Sequence, residues 1–174
     1  MSVAHSLLSR YERKSFLPRL VTEDEKWVMY VNFQRKRQWV DPGQTPSPDV
    51  KPDIHQKKIM LCVFWDIEEV VHWELLDAGT TLTAAIYNQQ LEKVTVALRQ
   101  KRPLKSKVFL PELAPSDSYL FRTLNNEIGG QQFDSDGTLK TSLTNFFASK
   151  PKVFYVRGIR KLPVKWADVL FGSQ

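Results

Sequence analysis

The feature that most constrains the fold is an almost uninterrupted apolar stretch, Lys58–Asp66 (KIMLCVFWD). A run of this length that ends at a charged turn is typical of a strand buried on both faces of a sheet. A second apolar segment, Val70–Leu76, follows after a short acidic turn, so the pair predicts an antiparallel hairpin. Hydrophobic residues make up 42% of the 174 residues, which is enough to fill the core of one domain.

Residues 16–33 are also rich in apolar and aromatic side chains, but an acidic triplet, Glu23 to Glu25, interrupts them. We predict one strand here, or two short strands that bend at the acids. A carboxylate inside an apolar strand is costly unless it is paired or binds a cation, which makes Asp24 a candidate site residue. Residues 39–52 contain several prolines and predict an extended loop that projects from the domain.

The period of the apolar residues changes from strand to helix after residue 80. Thr83 is a good N-cap for a helix with apolar residues at 87, 91, 94 and 98. Val108–Leu110 predicts a short strand, and Ser116 predicts the N-cap of a second helix. Further helices are expected around residues 139–147 and 166–171. The order of elements predicts an α/β domain in which helices cover a mixed sheet.

Basic residues are in excess and are clustered. Lysine and arginine number 25 against 19 acidic residues, for a net charge of +6. Basic stretches with interleaved aromatics suit phosphate contacts and base stacking, although a solvated basic face is an alternative for any one cluster. The candidate DNA-binding residues are Arg99, Lys101, Arg102, Lys105, Lys107, Lys150, Lys152, Arg157, Arg160 and Lys161, with a smaller cluster at residues 35–37.

Other kinds of chemistry find little support. The single cysteine, Cys62, lies among apolar residues and fits a buried thiol in a reducing, intracellular compartment. The three histidines lack the spacing of metal ligands, and no glycine-rich phosphate loop or nucleophile elbow occurs. No apolar run is long enough to span a membrane. Asp117 falls in the first turn of a predicted helix, where spacing alone favours a capping role.

Several segments resemble the catalytic domain of mariner-family DNA transposases, in the family's order. Residues 20–28 (LVTEDEKWV) resemble the first catalytic motif, and residues 113–121 (LAPSDSYLF) resemble the third. The block at 39–44 (WVDPGQ), the strands at 58–66 and 73–76, and the segment 154–166 match as well. The resemblance extends over residues 7–166, nearly the whole chain.

The resemblance implies an RNase H-like fold in which three acids bind Mg²⁺ (or Mn²⁺) ions for DNA cleavage and strand transfer. Asp24 matches the first acid and Asp117 the third, so both are implied catalytic residues and metal ligands. DNA is the implied substrate, with a second copy or another transposase subunit as a further partner, and the nucleus is the implied location. Residues 39–52 resemble a loop that reaches the other subunit; a merely mobile surface loop is the alternative.

The chain departs from the family where the second acid belongs. The family has a His-Asp-Asn motif directly after the strand that here ends at Leu110, whereas this sequence continues PELAP. We therefore expect a single truncated domain over residues 1–174, missing the fifth strand and one connecting helix. Glu112 stands two residues after Leu110 as a surrogate acid, although we expect it not to support cleavage. Glu23 replaces the family's glycine and is expected to add negative charge at the metal site.

Two functions follow from these departures. The first is a remnant of a transposase catalytic domain with impaired cleavage and weakened metal binding. The alternative is a non-catalytic module that binds DNA or a transposase subunit. The helix-turn-helix domains that precede this region in the family have no counterpart in these residues, so we expect DNA binding to tolerate sequence changes.

Overall fold

The computed structural model describes residues 3–33, 43–44, 56–77, 79–103, 108–110 and 115–172, with the backbone alone for 108–110. These residues form a sheet of four strands: β1 (Leu20–Met29), β2 (Lys58–Asp66), β3 (Val70–Leu76) and β4 (Val108–Leu110). The helices are α1 (Val3–Arg13), α2 (Ala84–Lys101), α3 (Arg122–Ile128), α4 (Asp136–Ser149), α5 (Lys152–Arg160) and α6 (Leu162–Phe171).

The sheet has the strand order β3-β2-β1-β4. β1 pairs with β2 antiparallel over its whole length, β2 pairs with β3 antiparallel, and β4 runs parallel to the start of β1. The predicted hairpin is confirmed, and Asp24 lies on β1, a central strand between β2 and β4. The predicted mixed sheet is confirmed too, and no fifth strand lies beside β4 among the described residues.

One alternative for residues 16–33 was wrong. The chain does not bend at the acidic triplet, because β1 is continuous through it and Glu23 to Glu25 stay in register with Phe64 to Cys62 on β2. Only residues Leu17–Arg19, ahead of the strand, form a short 3₁₀ turn. Cross-strand pairing thus holds the acids in a regular strand despite the charge they carry.

Side chains alternate between the two faces of this sheet. The Asp24 face carries Leu20, Val28 and Trp65, which pack with α1 and α3 to α6 in the larger core cluster. The Glu23 face carries Val21 and Phe64, which pack against Val94 and Leu98 of α2 in a smaller cluster. One face is therefore covered by five helices and the other by one helix.

Helix α2 begins as predicted, since the Thr83 Oγ1 accepts a hydrogen bond from the backbone N–H of Ile86 at 3.3 Å. Helices α1 and α5 were not predicted. Both are rich in basic residues, and α5 had been interpreted as a basic stretch with aromatics rather than as a helix. No helix in the described ranges is both long and apolar enough to cross a membrane.

Candidate active site

Asp24 lies near the middle of β1, opposite Val63 of β2. The pairing of β1 with β4 ends two residues earlier, at Thr22. The side chain of Asp24 is half-buried, and its Oδ1 accepts a hydrogen bond from the backbone N–H of Glu25 at 2.9 Å. A carboxylate is thus held on the central strand just beyond the point where the parallel pairing stops.

Asp117 opens a π-helical turn, Asp117–Phe121, that leads into α3. The turn is closed by a hydrogen bond from the N–H of Phe121 to the carbonyl oxygen of Ser116 at 2.8 Å. Turns of this type are rare and occur frequently at functional sites. The Asp117 side chain is exposed, although Ser116 immediately before it is fully buried.

The predicted capping role of Ser116 was wrong. Its side chain makes no capping hydrogen bond; instead the Ser116 Oγ accepts a hydrogen bond from the indole Nε1 of Trp65 at 2.9 Å, and both residues are fully buried. A buried indole N–H requires a hydrogen-bond acceptor. The Ser116 hydroxyl meets this requirement for Trp65, so it does not cap the first backbone N–H groups of the helix.

The charges of the two family-matched acids influence each other. Burial raises the pKa of Asp24 to about 6, and the negative charge of Asp117 is the next largest cause. The backbone N–H of Glu25 and the charge of Lys165 act in the opposite direction on the same pKa. Two carboxylates whose negative charges repel each other form a place where a divalent cation would be favourable.

The donor set tests how well a metal ion fits. Carboxylate oxygens are suitable ligands for Mg²⁺ and Mn²⁺, and Asp24 and Asp117 supply two such groups. Within the described residues, however, no group of three histidine, cysteine or acidic side chains is arranged to hold a metal. The described residues therefore fit part of a metal site.

The expectation for Glu23 was wrong. Because neighbouring residues of a strand point to opposite faces, the Glu23 side chain lies on the α2 side of the sheet, away from Asp117. Glu23 is 6% exposed, and burial, followed by the charges of Glu25 and Asp24, raises its pKa to about 8. At neutral pH this group is mostly protonated, so it adds little negative charge.

Cationic side chains lie over aromatic rings of the turn that Asp117 opens. The Lys26 ammonium lies 5.7 Å from the centre of the Phe121 ring, and the Lys161 ammonium lies 4.9 Å from that of Tyr119. The charge of Arg157 also reaches Tyr119, whose pKa it lowers against the larger effect of burial. Lys26 was not predicted as a site residue, although its position two residues after Asp24 on one strand would have placed it on the same face.

The first predicted basic cluster is largely engaged within the protein. Arg99 is exposed, but Lys101 forms an ion pair with Glu69 at 2.8 Å. Arg102 is 8% exposed, and its guanidinium lies 3.3 Å from Asp66 and 3.2 Å from Glu69. Arg102 is therefore a structural ion-pair residue in this fold, unavailable to DNA. Lys105 and Lys107 lie outside the described residues.

The second predicted basic cluster divides in two. The Lys150 ammonium forms an ion pair with Glu127, and only 16% of the Lys150 side chain is exposed. The Lys152 ammonium lies 3.7 Å from the Glu68 carboxylate. Arg157, Arg160 and Lys161 are exposed along α5 and its C-terminal end. Of the predicted DNA-binding residues, Arg157 and Lys161 interact with Tyr119, two residues after Asp117.

Some sequence predictions fall outside the described residues: Glu112, the basic residues 35–37 and nearly all of the 39–52 loop.

Cys62 is fully buried, and burial raises its pKa to about 11, consistent with an inert thiol. The Nε2 atom of His72 lies 3.3 Å from the Glu74 carboxylate, and the His72 ring lies beside the Phe64 ring. These contacts indicate a structural role for His72.

Comparison with known proteins decides the family. A family model described as Transposase (partial DDE domain) matches residues 29–108. The structure of the Mos1 transposase catalytic domain with raltegravir and Mn is similar at a TM-score of 0.77 and 34% identity, over 98% of this chain and 92% of that one. The chain belongs to the mariner transposase family. The predicted RNase H-like fold is thereby confirmed.

Two longer relatives add detail. The Mariner Mos1 transposase of Drosophila mauritiana is 40% identical over 92% of this chain and 56% of its own length. The mariner Mos1 paired end complex with Mg has a TM-score of 0.87 and 40% identity, over 96% of this chain and 59% of that one. This chain thus spans little more than half the length of these relatives, and divalent metals are used in the family.

The alignment with the Drosophila mauritiana transposase contains internal positions that this chain lacks. It runs over 195 positions, yet 92% of 174 residues is only about 160. About 35 positions of the relative therefore lack a counterpart here, and they lie inside the matched stretch because a match is bounded by aligned residues at both ends.

Proposed function

We propose that this chain is a remnant of a mariner-type transposase catalytic domain that retains two of the family's three acids and is impaired in DNA cleavage. The observation that supports this most directly is the effect of the Asp117 charge on the pKa of Asp24. The second is that about 35 positions of the Drosophila mauritiana relative have no counterpart in this chain. The predicted place of the gap is after Leu110, where the family's second aspartate follows the fourth strand. We propose that metal binding is retained but weakened, because one charged ligand is lost.

The decisive experiment restores what is missing. The corresponding segment of the Mos1 transposase, with its His-Asp-Asn motif, is inserted between residues 110 and 111. Nicking of supercoiled DNA is then measured with Mg²⁺ or Mn²⁺. We expect no nicking by the parent and metal-dependent nicking by the insertion variant. The matched control carries the same insertion with asparagine in place of its aspartate, and efficient nicking by the unmodified parent would refute the proposal.

Glu112 remains a hypothesis for a surrogate second acid. Its side chain is one methylene longer than aspartate, and an error of about 1 Å in a catalytic group can cost about a hundredfold in rate. We expect the parent and Glu112→Gln to be equally inactive in the nicking assay. Mn²⁺-dependent nicking that disappears in Glu112→Gln, and also in Asp24→Asn, would establish the surrogate role instead.

A second candidate function is DNA binding without cleavage, and the exposed cations beside Tyr119 favour it. Arg157 and Lys161 lie four residues apart on α5 and its end, so they share one face, next to an aromatic ring. Such a surface suits the phosphate backbone and tolerates sequence changes. The DNA partner, a second copy or transposase subunit, and a nuclear location are all part of this proposal.

DNA binding is tested by fluorescence anisotropy on duplexes of unrelated sequence over a range of salt concentrations. Removal of Arg157 and Lys161 by alanine is expected to weaken binding to all duplexes and to reduce the salt slope by about 1 per residue. Lys150→Ala is the matched control, because the Lys150 ammonium is already paired with Glu127. Equal effects of all three substitutions would exclude this surface.

A further inference from the structure

We propose that Trp65, Ser116 and Gly158 are positioning residues that fix Asp117 opposite Asp24. This inference rests on the proposed function of the two acids as a metal-binding pair. None of the three residues supplies a carboxylate, and each acts through the segment that carries Asp117.

The first contact joins the Asp117 segment to the central strands. Trp65 is on β2 opposite Thr22, two residues before Asp24 on β1, so it lies on the same face of the sheet as Asp24. Its indole N–H donates to the Ser116 hydroxyl at 2.9 Å. Since Ser116 immediately precedes Asp117, this single buried bond fixes the chain just before the acid relative to the strand pair that holds Asp24.

The second contact fixes the chain just after Asp117. A Cβ atom placed on Gly158 would lie 2.7 Å from Cη2 of Trp65 and 2.7 Å from Cδ1 of Tyr119. Real Cβ atoms do not approach other heavy atoms so closely, and both rings are packed against further aromatic rings: Trp65 against Tyr155 at 6.0 Å and Tyr119 against Phe154 at 4.7 Å. The absence of a side chain on Gly158 therefore lets α5 rest directly on both rings.

The two contacts converge on the Trp65 ring. Its nitrogen holds Ser116, its far edge touches Gly158, and Gly158 in turn contacts Tyr119, two residues beyond Asp117. Asp117 is exposed, so packing of its own side chain does not place it. Its position is set by its neighbours on either side: Ser116, which is fully buried, and Tyr119, which is half-buried against Gly158 and Phe154.

The position of Asp117 is measured independently of metal and DNA. Spin labels are attached to cysteines introduced at Ser118, beside Asp117, and at Glu92, on the opposite side of the sheet; both positions are exposed, and Cys62 is fully buried. Double electron–electron resonance then gives the distance distribution between the labels. We expect Ser116→Ala and Gly158→Ala to shift or broaden this distribution.

Two matched controls separate positioning from general destabilisation. Thr123→Ala also removes one hydroxyl, which bonds to the Tyr119 carbonyl oxygen at 2.8 Å within the same helical segment. Gly137→Ala adds a methyl group to α4 at an ordinary contact distance of 3.6 Å. Both controls are expected to leave the distance distribution unchanged. Should Gly158→Ala fail to fold, Ser116→Ala decides the outcome alone.

Metal affinity supplies the functional readout, measured as free Mn²⁺ by electron paramagnetic resonance without spin labels. Residues that orient metal ligands typically contribute 10- to 100-fold in affinity, and we expect a loss of about that size in Ser116→Ala and Gly158→Ala, with no loss in the controls. Unchanged distances in both variants would overturn the positioning role. A parent that binds no Mn²⁺ would instead refute the proposed metal site, while the distance measurement would still decide the positioning role.

Discussion

Glu23 makes the stability of this protein depend on pH in an unusual direction. Glu23 is 6% exposed on the α2 side of the sheet, its Oε1 has no hydrogen-bond partner within the described part of the chain, and the neighbouring Glu25 and Asp24 carboxylates add their negative charges. These conditions raise the pKa of Glu23 from 4.5 to about 8 in the folded protein. The native state therefore binds a proton that the unfolded chain releases.

The direction of the effect follows from proton linkage. Between pH 4.5 and pH 8 the folded protein holds more protons than the unfolded chain, so the free energy of unfolding falls as pH rises. Each pH unit in this window costs about 1.4 kcal/mol, which amounts to about 3 kcal/mol at pH 7. For a domain whose total stability is about 5–15 kcal/mol, this is a large fraction.

Glu23→Gln tests the effect, because glutamine has nearly the same shape and carries no charge at any pH. We expect the variant to match the parent near pH 4.5 and to be more stable by about 3 kcal/mol at pH 7, with the difference largest above pH 8. The measurement is urea denaturation followed by tryptophan fluorescence at several pH values. Glu92→Gln, an exposed position on α2, is the control. A stability difference between Glu23→Gln and the parent that does not change with pH would refute this reasoning.

Three further predictions concern single contacts. Arg102→Met removes the guanidinium that pairs with the fully buried Asp66 carboxylate and is expected to lower the free energy of unfolding by about 3–5 kcal/mol in urea denaturation; a loss below about 1 kcal/mol would contradict a stabilising buried ion pair. Asp117→Asn removes the repulsive charge beside Asp24, so the pKa of Asp24 should fall from about 6 towards its usual range in a carboxyl ¹³C NMR titration, whereas an unchanged pKa would place the two acids apart. Thr83→Ala removes the N-cap of α2 and should lower the free energy of unfolding by about 1 kcal/mol. Thr80→Ala, a threonine substitution outside the N-cap position, is the control.

The sequence predicts those parts of this fold that local pattern determines. The apolar run Lys58–Asp66 is central because a strand buried on both faces must be apolar throughout, and Thr83 caps α2 because its partner, the backbone N–H of Ile86, is local in sequence. The acid pair was found through resemblance alone. Spacing favoured a capping role for Asp117, since nothing in the local sequence indicates that residue 24 lies beside it.

The predictions that failed depend on partners distant in sequence. Arg102 belongs to a run of basic residues, yet it is buried because Asp66, 36 residues earlier, provides its counter-charge. Ser116 has the position of an N-cap, but its hydroxyl bonds to Trp65, which is 51 residues away. Glu23 is different, because the alternation of side chains along a strand would have predicted that it and Asp24 face opposite sides.

The arrangement of contacts explains how the acid pair persists in a chain that lacks about 35 positions of its relative. If the gap follows Leu110, it removes sequence between β4 and Asp117, at the edge of the sheet. β4 pairs only with the first three residues of β1, whereas β2 pairs with β1 along its whole length and carries Trp65. The segment around Asp117 is held from the other side, through Trp65 and Gly158 on the five-helix face of the sheet. The position of Asp117 would therefore depend on contacts that a deletion at the β4 edge leaves in place, even where that deletion removes the segment proposed to carry the second acid.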